Sequence, residues 1–265
     1  MMIDDVRAYN ALAWDRQVER GNPWTIPADP ALIASARRGD CRIVLTPTRP
    51  VPLAWFPPLK GARVLCLASG GGQQGPVLAA AGAEVTVLDN SPRQLERDRE
   101  VARREGLEIA LVEGDMSNLE CFPDRTFDLI VHPVSNCFVP DVRPVWREAY
   151  RVLHEGGVML AGFCNGFLYL FDDEDLERGD LHIRYSLPYA DPVALDPVRL
   201  AAHMAEKKPL EFGHSLEDQI GGQLDAGFLL LGFYEDRDPK SALSRHLALF
   251  AATRAMRGSC KDQSQ

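Results

Sequence analysis

The sequence predicts an α/β fold in which one mostly parallel seven-stranded sheet lies between layers of helices, with its last strand antiparallel. Residues 1–59 precede this sheet as a cap, and an insertion follows its fifth strand. Three observations lead there. Between residues 60 and 163, short apolar runs alternate with helical patterns, which is the grammar of β-α units with right-handed crossovers. The first of them, RVLCLA at 63–68, is a short apolar run bounded by glycines, as a strand buried on both faces requires. The last two apolar runs are joined by only a short polar, proline-containing stretch, which suits antiparallel neighbours.

Taken in order, residues 1–59 carry Trp14, Trp24 and Trp55 and a cluster of prolines. One short helix is expected at 30–38, because Asp29 can cap it, Pro30 suits its first position and Gly39 follows its end. RVLCLA at 63–68 reads as the first strand, followed by a glycine-rich turn and a helix PVLAAAG closed by Gly82. EVTVL at 84–88 is a second strand ending at Asp89. Ser91, Pro92 and Gln94 then supply the cap, first-turn proline and capping-box partner of a helix. Strands follow at 109–113 (IALVE), 127–132 (FDLIVH) and 157–163 (GVMLAGF), with a helix at 145–154 before the last of these. Acidic runs, prolines and aromatics at 164–214 break the rhythm and read as an insertion over the sheet's ligand edge, with a small strand near 181–187. A helix near 215–226, strands at 227–235 and 247–255 and a flexible tail from 258 complete the chain.

Composition bounds the function. The net charge of −9 without a Lys/Arg-rich block argues against nucleic acid or anionic lipid and for a small-molecule substrate. The N-terminus, MMIDDVRAYN, has no basic start followed by an apolar run, and no stretch approaches about 18 apolar residues, so a cytoplasmic protein without a membrane span is expected. Cys41, Cys66, Cys121, Cys137, Cys164 and Cys260 show no CxxC spacing. They read as reduced thiols and not as a metal or redox site.

In open α/β sheets ligands bind beyond the carboxyl ends of the strands. After the first strand, Gly70, Gly72 and Gly75 satisfy GxGxxG, where missing Cβ atoms let backbone approach a ligand. A simple turn-making role is the competing reading. Asp89 offers a carboxylate to vicinal ribose hydroxyls, or it merely caps a helix. Glu113-Gly114-Asp115-Met116 places a carboxylate and a thioether after the third strand. The ordered recurrence of all three is harder to obtain by chance than any one of them.

The runs VLCLASGGG, VLDNS, EGDM, FDLIVH and LHEGG resemble the motifs of the class I S-adenosylmethionine-dependent methyltransferases over residues 60–163. WTIP at 24–27, LASGGGQQGP at 67–76, HPVSNCFVPDVRPVWREA at 132–149 and LEDQIGGQLDAGF at 216–228 are similar to a group of small bacterial methyltransferases of unassigned substrate. The resemblance implies a Rossmann-like three-layer sandwich and S-adenosylmethionine as cofactor, released as S-adenosylhomocysteine. It implies that Ala68, Ser69, Gly70, Gly71 and Gly72 wrap the methionine portion, that Asp89 holds the ribose, and that Asn90, Asp115 and Met116 meet the adenine. Two positions depart from the family: Ala68 stands at the usual first glycine, and Cys66 replaces the acid often found in the first strand. Pro133 and its neighbours at the fourth strand's end are expected to face the transferred methyl. There His132 is a candidate base and Asn136 a candidate for orienting the acceptor, with a backbone-satisfied histidine and a turn asparagine as the plain alternatives. Two rival functions are a nicotinamide-dependent oxidoreductase and a noncatalytic binder of the same cofactor. Asp89 lies closer to the glycines than the spacing of about 20 expected of the former.

Overall fold

A computed structural model describes residues 5–258; the tail expected beyond, at 259–265, lies outside the described residues. Helix α1 (Val6–Arg20) is capped by Asp5, whose carboxylate accepts the Ala8 N–H at 2.9 Å, and ends at Gly21 with φ +68°. It was absent from the sequence expectation because its apolar residues are too sparse to mark a face. Helix α2 (Pro30–Arg37) begins at the expected Asp29 cap. The core then runs through β1 (Arg63–Leu67), α3 (Gln74–Ala80), β2 (Glu84–Asp89), α4 (Pro92–Glu105), β3 (Ile109–Glu113), β4 (Phe127–His132), α5 (Arg143–Val152) and β5 (Leu153–Cys164).

Alternation of side chains along each strand builds a core on each face. Val64 and Cys66 of β1 join Ile33, Leu78 and Val101 on one side, while Leu65 and Leu67 join Trp146, Val152 and Met159 on the other. All four β1 side chains are fully buried, so each leucine contributes about 2 kcal/mol of hydrophobic stabilisation. The helices α2, α3 and α4 cover the first face and α5 the second, giving three layers.

The insertion holds α6 (Asp173–Arg178), β6 (Tyr189–Ala190), α7 (Asp191–Ala194), α8 (Pro197–Ala205) and β7 (Phe212–Gly213). The strand expected near 181–187 is not formed. Leu181 and Ile183 are exposed, and the segment makes only an isolated bridge from Ile183 to Phe171. The paired strands are instead β6 and β7, whose Phe212 is buried in a small core with Leu200 and Leu210. A π-helical turn (Glu217–Gly221) leads into α9 (Gly222–Asp225), followed by β8 (Phe228–Asp236) and β9 (Phe250–Arg257).

The main sheet has the order β3-β2-β1-β4-β5-β9-β8. The first five strands are mutually parallel, and β9 runs antiparallel to both β5 and β8. Strand order reverses between β1 and β4, where the helices on opposite faces diverge and leave a crevice. Residues 41–51 cross the sheet near β5 and β9. A Cβ on Gly162 would lie 2.3 Å from the Leu45 carbonyl, so glycine is needed for this close passage. Asp236 at the end of β8 fastens the segment by accepting Thr46 Oγ1–H, Thr48 N–H and Oγ1–H, and Arg49 N–H at 2.6–2.9 Å.

Candidate active site

Two cavities, each of about 270 Å³, open at the carboxyl ends of the strands. They share Ala68, Asn90, Met116 and Phe138 as a common wall. The first extends over β2, β1, β4, β5 and β9, from Asp89 to Phe250. The second lies over β2 and β3 and is lined by Asp115, Gly114 and Leu88.

Most of the expected cofactor residues meet here. Ser69, Gly70, Asp89 and Pro133 line the first cavity and Asp115 the second. The Asp89 carboxylate is buried and already oriented, with Oδ2 accepting the Gly70 N–H and Oδ1 the Ser91 N–H, both at 2.9 Å. Burial pushes its pKa up to about 6, against the opposing pull of these amides. Asp115 Oδ1 accepts from Ser117 N–H at 2.8 Å and from Ser117 Oγ–H at 2.7 Å. Ala68 adopts φ +45°, the conformation that favours glycine at this position.

Gly71 and Gly72 lie away from the cavity. Both donate their N–H groups at 3.1 Å to Oδ2 of Asp98, a fully buried residue of α4. Asp98 is thus a positioning group for the turn, and burial pushes its pKa up. Sequence reading missed it, since a lone aspartate inside an Arg/Glu-rich helix reads as surface.

Both expected catalytic side chains are corrected by their placement. His132 is fully buried beneath the cavity, its Nδ1 2.9 Å from the Leu67 carbonyl and its ring edge-on to Trp146 at 5.9 Å. Burial pulls its pKa down to about 4 and Nε2 has no partner among the described residues, so it is held neutral and does not line the cavity. Asn136 is also fully buried, pairing its amide with Gln219 at 3.0 Å while its carbonyl meets His214 Nε2 at 3.0 Å. It joins the loop after β4 to the turn before α9.

Several lining residues were not singled out by sequence. Gln94 does not close a capping box on Ser91; its Oε1 is buried without a hydrogen-bond partner and its side chain sits on the cavity wall, against Gly70. Glu211, Thr46, Cys137 and Cys164 also line the first cavity. Trp14 and Trp24 cover it, with Trp14 edge-on to Phe138 at 5.1 Å. Within the insertion, Tyr169 is buried and donates to Glu211 at 2.8 Å. His182 is exposed, and Arg184 and Tyr185 pair with Asp175 and Asp172.

Comparison with known proteins decides what this geometry belongs to. A family described as methyltransferase domain matches residues 65–161. A protein of Bacillus subtilis (strain 168), described as the uncharacterized methyltransferase YbaJ, is 52% identical over 250 residues, covering 94% of this chain and 98% of its own. The chain belongs to the class I S-adenosylmethionine-dependent methyltransferases. Its nicotinamide reading is thereby set aside. A sterol 24-C-methyltransferase of Aspergillus fumigatus is 35% identical to the methyltransferase over 102 residues, 37% of this chain and 27% of that protein. The same fold is found in an S-adenosylmethionine-dependent methyltransferase of Mesorhizobium loti, with a TM-score of 0.57 and 18% identity over 77% of this chain and 94% of that one. Another, from Methanosarcina mazei, gives a TM-score of 0.58 and 19% identity over 77% and 95%. Among the described residues, no helix is long and apolar enough to cross a membrane.

Proposed function

We propose that this methyltransferase carries a methyl group from S-adenosylmethionine to a small-molecule acceptor by direct in-line displacement, with both molecules held at the strand ends. The observation that carries the reading is the joining of two cavities along Ala68, Asn90, Met116 and Phe138, with Asp89 on one side and Asp115 on the other. The residues fit the cofactor: Gly70 lacks a Cβ where one would collide with Gln94 Cβ and Asp89 Oδ2 at 2.6 and 2.9 Å, and Gln94, on the cavity wall, keeps a buried oxygen without a partner among the described residues, on the side of Gly71.

In this reading Asp89 accepts the ribose hydroxyls, Asn90, Asp115 and Met116 receive the adenine, and Ser69 and Gly70 flank the methionine portion. Gly71 and Gly72 act one layer below, through Asp98. Gln94 accepts from the amino group, taking over a contact that Cys66 cannot make, since that thiol is sealed inside β1. The cofactor supplies an activated methyl on a sulfonium. What remains for the protein is alignment and exclusion of water; Trp14, Trp24, Phe138 and Pro133 supply apolar walls for this.

The test is calorimetric titration of S-adenosylmethionine and S-adenosylhomocysteine. Removing a carboxylate that accepts two ribose hydrogen bonds forfeits about 1.5–3 kcal/mol for each, so Asp89→Ala lowers affinity by about 100-fold or more. Unchanged affinity in that variant rejects the placement.

A further inference from the structure

The cavity is longer than the cofactor half requires. From β2 to β9 it crosses four strand spacings, about 19 Å at ~4.8 Å each. The residues assigned above to the cofactor stand on the side of β3, β2 and β1. The part over β4, β5 and β9 is walled by Val134, Cys137, Cys164, Leu168 and Phe250, of which Cys164 and Phe250 are paired across the sheet. Into this apolar half projects one carboxyl. Among the described residues lining the cavity, the carboxyl-bearing side chains are Asp89 and Glu211, and Asp89 is committed to the other half.

Glu211 is held in place on several sides. Its Oε2 accepts the Tyr169 hydroxyl at 2.8 Å, and Tyr169 packs with Cys137 and Cys164 and stacks on Tyr189 at 5.2 Å. Its backbone N–H donates to Asp191 Oδ2 at 2.7 Å, immediately before β7. Among the described residues, no group donates to Oε1. The charges that face it are acidic, Asp173 of α6 and Asp191 of α7, and no cation pairs with it among the described residues. Burial, aided by those two carboxylates, pushes its pKa up to about 8, a range suited to exchanging a proton at neutral pH.

Building on the methyltransferase reading, we infer that Glu211 is the catalytic base of the acceptor pocket, and that the acceptor is a neutral, largely apolar molecule presenting one hydroxyl. Apolar walls reject a heavily hydrated ligand. An acceptor bearing a carboxylate or phosphate meets Glu211 with no cation among the described residues lining the cavity, an arrangement that disfavours anions. In the reaction Glu211 takes the hydroxyl proton as the acceptor oxygen forms its bond to the methyl carbon. The carbon–sulfur bond breaks with its electron pair left on sulfur. The sulfonium charge and the carboxylate charge disappear together, leaving a methyl ether, neutral S-adenosylhomocysteine and protonated Glu211.

Two probes of matched shape, 4-propylphenol and 4-propylbenzoate, test this against protein saturated with S-adenosylhomocysteine. Calorimetry is expected to show the phenol binding at least tenfold more tightly than the benzoate. In Glu211→Gln that preference falls to about threefold or less, S-adenosylhomocysteine affinity stays within about twofold of the parent, and radiolabelled methyl transfer to the phenol drops at least 100-fold. Should Glu211→Gln lose cofactor binding, Glu211→Asp replaces it: the retained carboxylate keeps the phenol preference, while transfer falls because its reach is one methylene shorter. Equal binding of the two probes by the parent, no transfer to the phenol, or an unaltered preference and rate in Glu211→Gln overturns the assignment of Glu211 while leaving the cofactor site intact. Failure of the parent to bind S-adenosylhomocysteine overturns both.

Discussion

Ala68 holds φ at +45°, a conformation that costs a non-glycine residue about 1–2 kcal/mol. Glycine there would relieve the strain but give the unfolded chain about 0.4–1 kcal/mol of extra freedom. Ala68→Gly is therefore expected to be more stable than the parent by up to about 1 kcal/mol in chemical denaturation. Gly71 is the counterpart: with φ at +108° and a Cβ position 2.8 Å from the Trp24 carbonyl, Gly71→Ala loses more than about 1 kcal/mol and weakens cofactor binding. A second expectation concerns His132. Its folded pKa of about 4 lies below the ordinary 6.5, so the unfolded chain binds the extra proton between these values. That contribution to stability is complete above pH 6.5 and is lost as pH falls toward 4. Comparing the denaturation midpoints of the parent and His132→Gln across pH 4–7 isolates this slope, which the variant lacks. At this scale the sequence showed Asp89, Asp115 and Met116 plainly, because motif order places them at strand ends. It could not show that His132 turns inward, since the rotamer depends on the Leu67 carbonyl and Trp146, which come from other elements.

Among elements, the loop after β4 and the turn before α9 are joined through buried side chains. Truncating Asn136 to alanine leaves the Gln219 amide buried without its partner, at a cost of about 1–3 kcal/mol. Loss of stability with S-adenosylhomocysteine affinity preserved is the expected pattern for Asn136→Ala, whereas a residue that orients the acceptor would lose turnover at constant stability. Strands β1, β2, β4 and β5 were legible because they are buried on both faces and bounded by glycine or polar turns, and β3, a half-exposed edge strand, because its apolar run ends in the Glu113-Gly114-Asp115-Met116 motif. α1 and the pairing of β6 with β7 were not, since both are stabilised by contacts distant in sequence. Asn10 of α1 illustrates the point: its amide donates to the carbonyls of Phe138 and Leu210 at 2.9 and 3.0 Å and accepts the Leu210 N–H at 2.8 Å.

For the molecule as a whole, the segment at 41–51 depends on Asp236. Burial alone would raise that carboxyl, but the donors from Thr48, Thr46 and Arg49 hold its pKa near 2. Its contribution to stability is therefore present above the ordinary value of 3.8 and fades as pH falls toward 2. Asp236→Ala removes the acceptor of four hydrogen bonds from this segment, one of them from the buried Thr46 hydroxyl, and is expected to cost about 1–3 kcal/mol, with earlier proteolytic cleavage at 41–51 as the local sign. The parallel run of the first five strands followed from β-α alternation and the antiparallel pairing of the last two from their short link, but the path of the first sixty residues over the cavity did not. Those residues lie across the glycine turn: Ala28 N–H meets the Gly72 carbonyl at 2.8 Å, and the Gln73 amide reaches the carbonyls of Pro23 and Ile26 at 3.2 and 3.0 Å. Gln73→Ala removes two of these ties and leaves Asp89, Asp115 and Glu211 untouched, so faster release of the spent nucleoside in a stopped-flow chase is the expected outcome for a strap that has to lift before a ligand leaves.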